Sequence, residues 1–168
     1  RRRLGFLNEA HRRAMQFAQL RFAGLVFGEL HQVATLQEIT QAGLLIGQWA
    51  NATLGAEAAN AKIAMLDLAI SQPSVDVLRD QGFLQGMGLK SLDAKSNELA
   101  KPAEVACMAD SYGDQAKGQT AMENCLQKAG GVNVVYTINE PAAAGAYNAL
   151  KKAGKEKGVI IVSVDGGC

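Results

Sequence analysis

The stretch VVYTINEPAAAGAYNAL, Val134 to Leu150, decides the fold together with GVIIVSV, Gly158 to Val164. Asn133 to Ile138 is short and almost continuously apolar, as a strand buried on both faces must be. Asn139, Glu140 and Pro141 follow, and proline early in a helix costs little because its missing N–H would be unpaired there anyway. A helix then runs to about Ala153 and stops at Gly154. The second apolar run is a further strand of the same kind, and Asp165-Gly166-Gly167 is the turn after it.

The same unit recurs upstream. KIAMLDLAI, Lys62 to Ile70, is strand-like, and Pro73 and Ser74 open a helix to about Gly88. Ser74 is the expected N-cap, and Asp76 suits the positive end of the helix dipole. A polar loop covers Lys90 to Lys101. AEVACM, Ala103 to Met108, reads as another strand, the loop Asp110 to Asp114 follows, and a helix spans Gln115 to Lys128. Before all of these, Thr35 and Glu38 have capping-box spacing ahead of a helix from about Leu36 to Leu54, ended by Gly55. Its buried stripe is expected to be Ile39, Gly43, Ile46, Trp49 and Ala50. Asn51-Ala-Thr53 matches a glycosylation sequon and is read as chance.

The order α-β-α-β-α-β-α-β predicts an α/β fold. It is a doubly wound parallel sheet of about four strands with helices on both faces. In such sheets ligands bind outside the carboxyl ends of the strands. There the sequence places Asp110 and Tyr112 after the second strand, Asn139 and Glu140 after the third, and Asp165 after the fourth. Arg79 lies in the second turn of the helix after the first. Carboxylates accept from hydroxyls, an amide donates and accepts, and guanidinium offers a planar fork of donors. The set suits a neutral polyhydroxylated ligand, with Asp165 balancing Arg79. Taken singly, each residue has a structural explanation: turn or cap for Asp165 and Asn139, helix-start acid for Glu140, loop packing for Tyr112, surface charge for Arg79.

Composition sets outer bounds. The chain has 168 residues, 48% hydrophobic and 20% charged, with a net charge of +1. Those values suit a globular α/β protein with a real core and exclude a chain-wide nucleic-acid or membrane-surface role. Aromatic content is only 5%, so Ala, Val, Leu and Ile must build the core. Charge is unevenly placed: the first 21 residues hold six Arg and one Glu, and Arg79 is the only later arginine. The break divides the chain into a basic, helical or poorly ordered extension, 1–34, and an α/β lobe, 35–168. In the extension Leu4, Leu7, Ala14, Ala18, Phe22 and Leu25 share a helical face, with Gly5, Gly24 and Gly28 weakening it. Glu9, His11, Arg12 and Arg13 interrupt any signal-peptide core, and no apolar run is long enough to span a membrane. Cys107, Cys125 and Cys168 have neither CxxC nor metal-site spacing, so no metal is expected. Cys107 and Cys125 read as small core residues, and Cys168 as a cysteine that could have lost a disulfide partner.

A resemblance now becomes specific. VVYTINEPAAAGAYNAL followed by GVIIVSVDGG resembles type I periplasmic sugar-binding proteins of ABC transporters, especially the ribose and fructose type. KIAMLDLAISQPSVDVLRDQGFLQGM is similar to the family's strand, loop and Arg-x-x-Gly-Phe helix. QAGLLIGQWANATLG looks like the helix opening the C-terminal lobe. The likeness covers Ala42 to Cys168. It implies that Arg79, Asn139 and Asp165 contact sugar hydroxyls. Tyr112 is the candidate for the family's loop aromatic, one residue out of register. It also implies a monosaccharide ligand such as ribose or fructose, a membrane permease as partner, a periplasmic location and no cofactor. The first 41 residues do not resemble the family's N-terminal lobe, and the family continues past the Asp-Gly-Gly turn. The expectation is a fragment with weak or no sugar binding alone.

Two other functions fit the fold less well. The effector domain of a sugar-responsive repressor shares it, and Arg1 to Arg21 could pass for a DNA-binding segment. No helix-turn-helix pattern precedes the lobe, so no nucleic-acid partner is expected. An enzyme has little support. G-x-G-x-x-G, Walker and G-x-S-x-G motifs are absent, and nothing pairs Asp67, Asp165 or Glu140 with a nucleophile. His11 and His31 lie in the unmatched segment and read as helix-surface residues.

Overall fold

The computed structural model describes residues 36–69, 71, 74–90 and 101–165, all within one compact unit. The expected extension, the Thr35 cap, most of the polar loop and the glycines after Asp165 lie outside them. The elements are α1 (Leu36–Leu54), a 3-10 turn (Gly55–Asn60), β1 (Ile63–Asp67), α2 (Ser74–Gly86), β2 (Val105–Asp110), α3 (Gln115–Ala129), β3 (Val134–Thr137), α4 (Glu140–Lys152) and β4 (Ile160–Ser163). The four strands form one sheet in the order β2-β1-β3-β4, and every pairing is parallel. β1 is therefore the strand from which the chain winds both ways, and the topological switch point lies between β1 and β3.

Alternation along the strands assigns the two faces. Ile63, Met65, Val134, Tyr136, Val162 and Val164 pack with Ala50 of α1 and Phe83 and Leu84 of α2. Ala64, Leu66, Val135 and Cys107 pack with Met122 and Leu126 of α3 and Ala146 and Leu150 of α4. β2 breaks the alternation once. Ile63 pairs with Val105 but Ala64 pairs with Cys107, so Ala106 is an extra residue, and it is exposed. This bulge turns Cys107 toward α3.

Cys107 is there joined to Cys125 in a disulfide, with the Cα atoms 5.5 Å apart. This corrects the reading of the two as separate core thiols. Both are buried, as expected, but strand and helix bring them side by side across 18 residues of chain, a proximity that spacing alone does not encode.

The helices on each face meet through glycine. A Cβ on Gly43 or Gly47 would sit 2.0–2.2 Å from the carbonyl oxygens of Arg79 and Phe83, and one on Gly82 or Gly86 would sit 2.2–2.3 Å from those of Thr40 and Leu44. On the other face, a Cβ on Gly145 would lie 2.1 Å from the Gln115 oxygen. Hydrogen at these positions lets backbones touch where side chains would hold the helices apart. The α1 stripe is corrected accordingly: Gly47 is buried at the crossing, while Trp49 is 48% exposed. Asn51 donates to the Met87 carbonyl beyond α2 at 2.8 Å, a structural use for a residue that also fits the sequon.

Candidate functional site

Four loop ends meet the carboxyl edge of the sheet. After β1, the backbone N–H of Leu68 donates to both oxygens of Asp76 at 3.0 Å. Asp76 is fully buried, and burial raises its pKa while the bonds from Leu68 and Ala69 oppose the rise. An acid expected to serve the helix dipole therefore also pins the β1–α2 loop.

After β2, Ser111 fixes the next loop. Its N–H and its hydroxyl both donate to the Asp67 carbonyl at 2.8 Å. The Gly113 N–H in turn donates to the Ser111 hydroxyl at 3.3 Å. Tyr112 lies between them in the left-handed region, φ 56°, with half its surface exposed. Side chains other than glycine rarely adopt that conformation. The Lys117 ammonium stands 4.4 Å from the ring centroid, a cation–π distance. Asp110 belongs to the end of β2 rather than to the loop, because the strand runs two residues later than expected.

After β3, Asn139 is committed twice. Its Oδ1 accepts from the Ala142 N–H at 3.2 Å, capping α4, and its Nδ2 donates to the Gly113 carbonyl at 3.0 Å. Gly113 has φ 64°, which favours glycine, and its missing Cβ would sit 2.6 Å from that Nδ2, so a side chain there would push the Asn139 amide aside. Glu140, half-buried, begins α4 beside Pro141. Asp165 lies two residues beyond the end of β4, after Val164, and Arg79 reaches it from α2. One guanidinium nitrogen donates to Asp165 Oδ1 at 3.1 Å and the other to the Ile138 carbonyl at 3.3 Å.

Arg79, Asp165 and the segment 138–139 are thus brought together. Tyr112 joins Asn139 through Gly113. Each terminal nitrogen of Arg79 keeps a second N–H, so the fork can still serve a ligand. Glu140 shares this edge as the neighbour of Asn139, with no bond to the other candidates among the described residues.

Just below this edge Asp67, weighed from the sequence only as part of an unpaired carboxylate set, has two neighbours that the sequence reading did not single out, Asp80 and Tyr136. Asp67 and Asp80 are buried, 3% and 0% exposed, beside the fully buried Tyr136. The signal was present: Val77-x-x-Asp80-Gln81-x-x-Leu84 puts Asp80 and Gln81 at inward positions of α2. Both carboxyls have pKa values raised by burial and by neighbouring carboxylates.

A parallel lobe with a polar rim at its switch point, where an Arg–Asp pair stands near the doubly bonded Asn139 amide, has the layout in which α/β proteins hold ligands. The chain belongs to the periplasmic binding protein domain family, whose pattern matches residues 33–167. That family is one of binding proteins rather than enzymes. Over 109 residues the chain is 36% identical to the ribose import binding protein of Haemophilus influenzae, covering 64% of this chain and 32% of that protein. Among solved structures, it is similar to an ABC transporter solute-binding protein from Bacillus halodurans with bound myo-inositol. Identity there is 25% and the TM-score 0.58, over 74% of this chain and 38% of the other. A periplasmic solute-binding protein from Actinobacillus succinogenes with bound D-allose shares the fold, at 17% identity and TM-score 0.57, over 73% of this chain and 39% of the other. The chain spans about a third of the length of the ribose-protein relative.

Proposed function

We propose that this chain contributes one wall of the sugar site in the substrate-binding component of an ABC importer. The ligand is a monosaccharide or similar polyol, the partner a membrane permease and the location the periplasm. The observation that carries this reading is the Arg79–Asp165 pair at the carboxyl edge, next to Ile138 and Asn139. A hydroxyl can accept from Arg79 while donating to Asp165, as neutral sugars require. Lobe closure over the ligand is the family's structural repertoire, and a single wall supplies only part of the hydrogen-bonding shell. Binding by this chain alone is therefore weak. The disulfide agrees with an oxidising compartment.

Titration of the full chain with ribose, fructose and myo-inositol, followed by NMR, tests the reading. Weak, saturable shifts at Arg79, Asn139 and Asp165 are expected, absent in Arg79→Ala. No shifts with any sugar would refute the site, and tight binding measured by calorimetry would refute the single wall.

A further inference from the structure

Asp67 ends β1 at the switch point, Asp80 lies on the inward face of α2, and Tyr136 is the third residue of β3. All three belong to the face of the sheet covered by α2. The Tyr136 ring stacks on Phe83 of that helix at 4.5 Å between centroids. The carboxyl of Asp80 is within hydrogen-bonding reach of the carboxyl of Asp67. The Tyr136 hydroxyl lies against Asp80, short of a fully formed hydrogen bond. Yet Asp67 Oδ1 and both oxygens of Asp80 are buried and, among the described residues, form no hydrogen bond with an N–H or hydroxyl donor.

Two ionised carboxylates cannot occupy this place. Neither can donate to the other, and three of their four oxygens would lose water without compensation. The surrounding charges worsen the conflict. Asp76 of α2 acts on both carboxyls, and Asp110 at the end of β2 acts on Asp67. Arg79 spends its charge on Asp165, with Asp76 also in its field. Glu38 is the one titratable side chain of α1, the helix packed on α2, and is itself acidic. β4, Ile160 to Ser163, has no titratable side chain. A shared proton resolves the pair: one carboxyl donates to the other, as where two carboxylates share a site.

We infer that Asp67 and Asp80 hold a proton between them at neutral pH, and that this proton fastens α2 to the end of β1, so that the lobe tightens in acid and loosens as pH rises. The device acts on the candidate sugar site because Arg79 precedes Asp80 on α2 and Ser111 binds the Asp67 carbonyl. It does not depend on what the site binds.

The sign follows from proton linkage. The pair's pKa values are raised above those of the unfolded chain, so the folded state binds more protons than the unfolded one. The stabilisation is complete below the unfolded carboxyl value and is lost as pH rises through the folded one. Across that window the folding equilibrium constant falls by about tenfold per pH unit for each proton held. Urea unfolding of the full chain at several values between about pH 5 and pH 8 should show this fall. Asp80→Asn, which keeps a donor toward Asp67, should flatten it and raise stability at the upper end.

A flat wild-type profile, or an unchanged slope in Asp80→Asn, would overturn the inference. If that variant does not fold, Asp67→Asn serves equally. Infrared spectra of the unaltered protein give an independent reading: a buried protonated-carboxyl C=O band at neutral pH is expected, and its absence counts against the shared proton. Sugar titration of Asp80→Asn separates the two claims, because loss of the pH slope with sugar-induced shifts intact concerns the proton alone.

Discussion

Asn139 does two jobs with one carboxamide, and the jobs can be separated chemically. Asn139→Asp keeps the oxygen that caps α4 but replaces the donor to Gly113 with a second acceptor. Asn139→Ala removes both. The alanine variant should lose about 2 kcal/mol in urea unfolding, cap and loop bond together. The aspartate variant should lose less if the cap dominates, and its negative charge suits the helix N-terminus. Equal losses would mean that the cap contributes nothing. Individual site residues were unevenly legible. Arg79 stood out because the other six arginines lie at or before Arg21, and Asp165 because it precedes glycines at a strand end. Both proved to touch each other. Asn139 was picked for its position, but its clamp on Gly113 depends on a loop fold that no short motif specifies. Asp80 went unread because a single acid beside an arginine looks like surface charge, although its place between Val77 and Leu84 made it an interior residue.

At the level of elements, the glycines at the helix crossings define the packing more sharply than any large side chain. Gly82→Ala should destabilise the lobe by about 2 kcal/mol or more, because the new methyl meets the Thr40 carbonyl and two helices must separate. Gly131→Ala provides the spatial comparison: its Cβ would meet nothing within 4 Å among the described residues, but φ 159° keeps a backbone cost there. Thermal melts of the two variants compare these terms, and an equal or smaller loss in Gly82→Ala would count against the tight crossing. Helices and strands were readable because apolar runs and caps are local. Their ends drifted by up to three residues: β1 stops at Asp67 although its apolar run continues to Ile70, and β2 starts and finishes two residues later than its run suggests. Trp49 misled for a related reason. Helical periodicity gives a face, but glycine at the crossing turned the contact toward Gly43 and Gly47 and left the indole outside.

For the molecule as a whole, the disulfide constrains chain topology rather than any one contact. Closing 18 residues of separation between Cys107 and Cys125 restricts the unfolded ensemble by about 3 kcal/mol. Urea unfolding with and without reductant should differ by that amount, and coincident curves would show the thiols unpaired in solution. The doubly wound class was legible because strand and helix alternate along the chain. The order β2-β1-β3-β4 was not, since it depends on which way each crossover turns. The glycine seams carry a mechanical consequence. With backbone pressed on backbone on both faces, the sheet behaves as a laminate with two stiff skins. The four loop ends along its rim are thereby held at a spacing that the helix seams help to set. If the rim takes up a sugar as proposed, that sugar meets hydrogen-bonding partners already in register, and little of its binding free energy is consumed in arranging them.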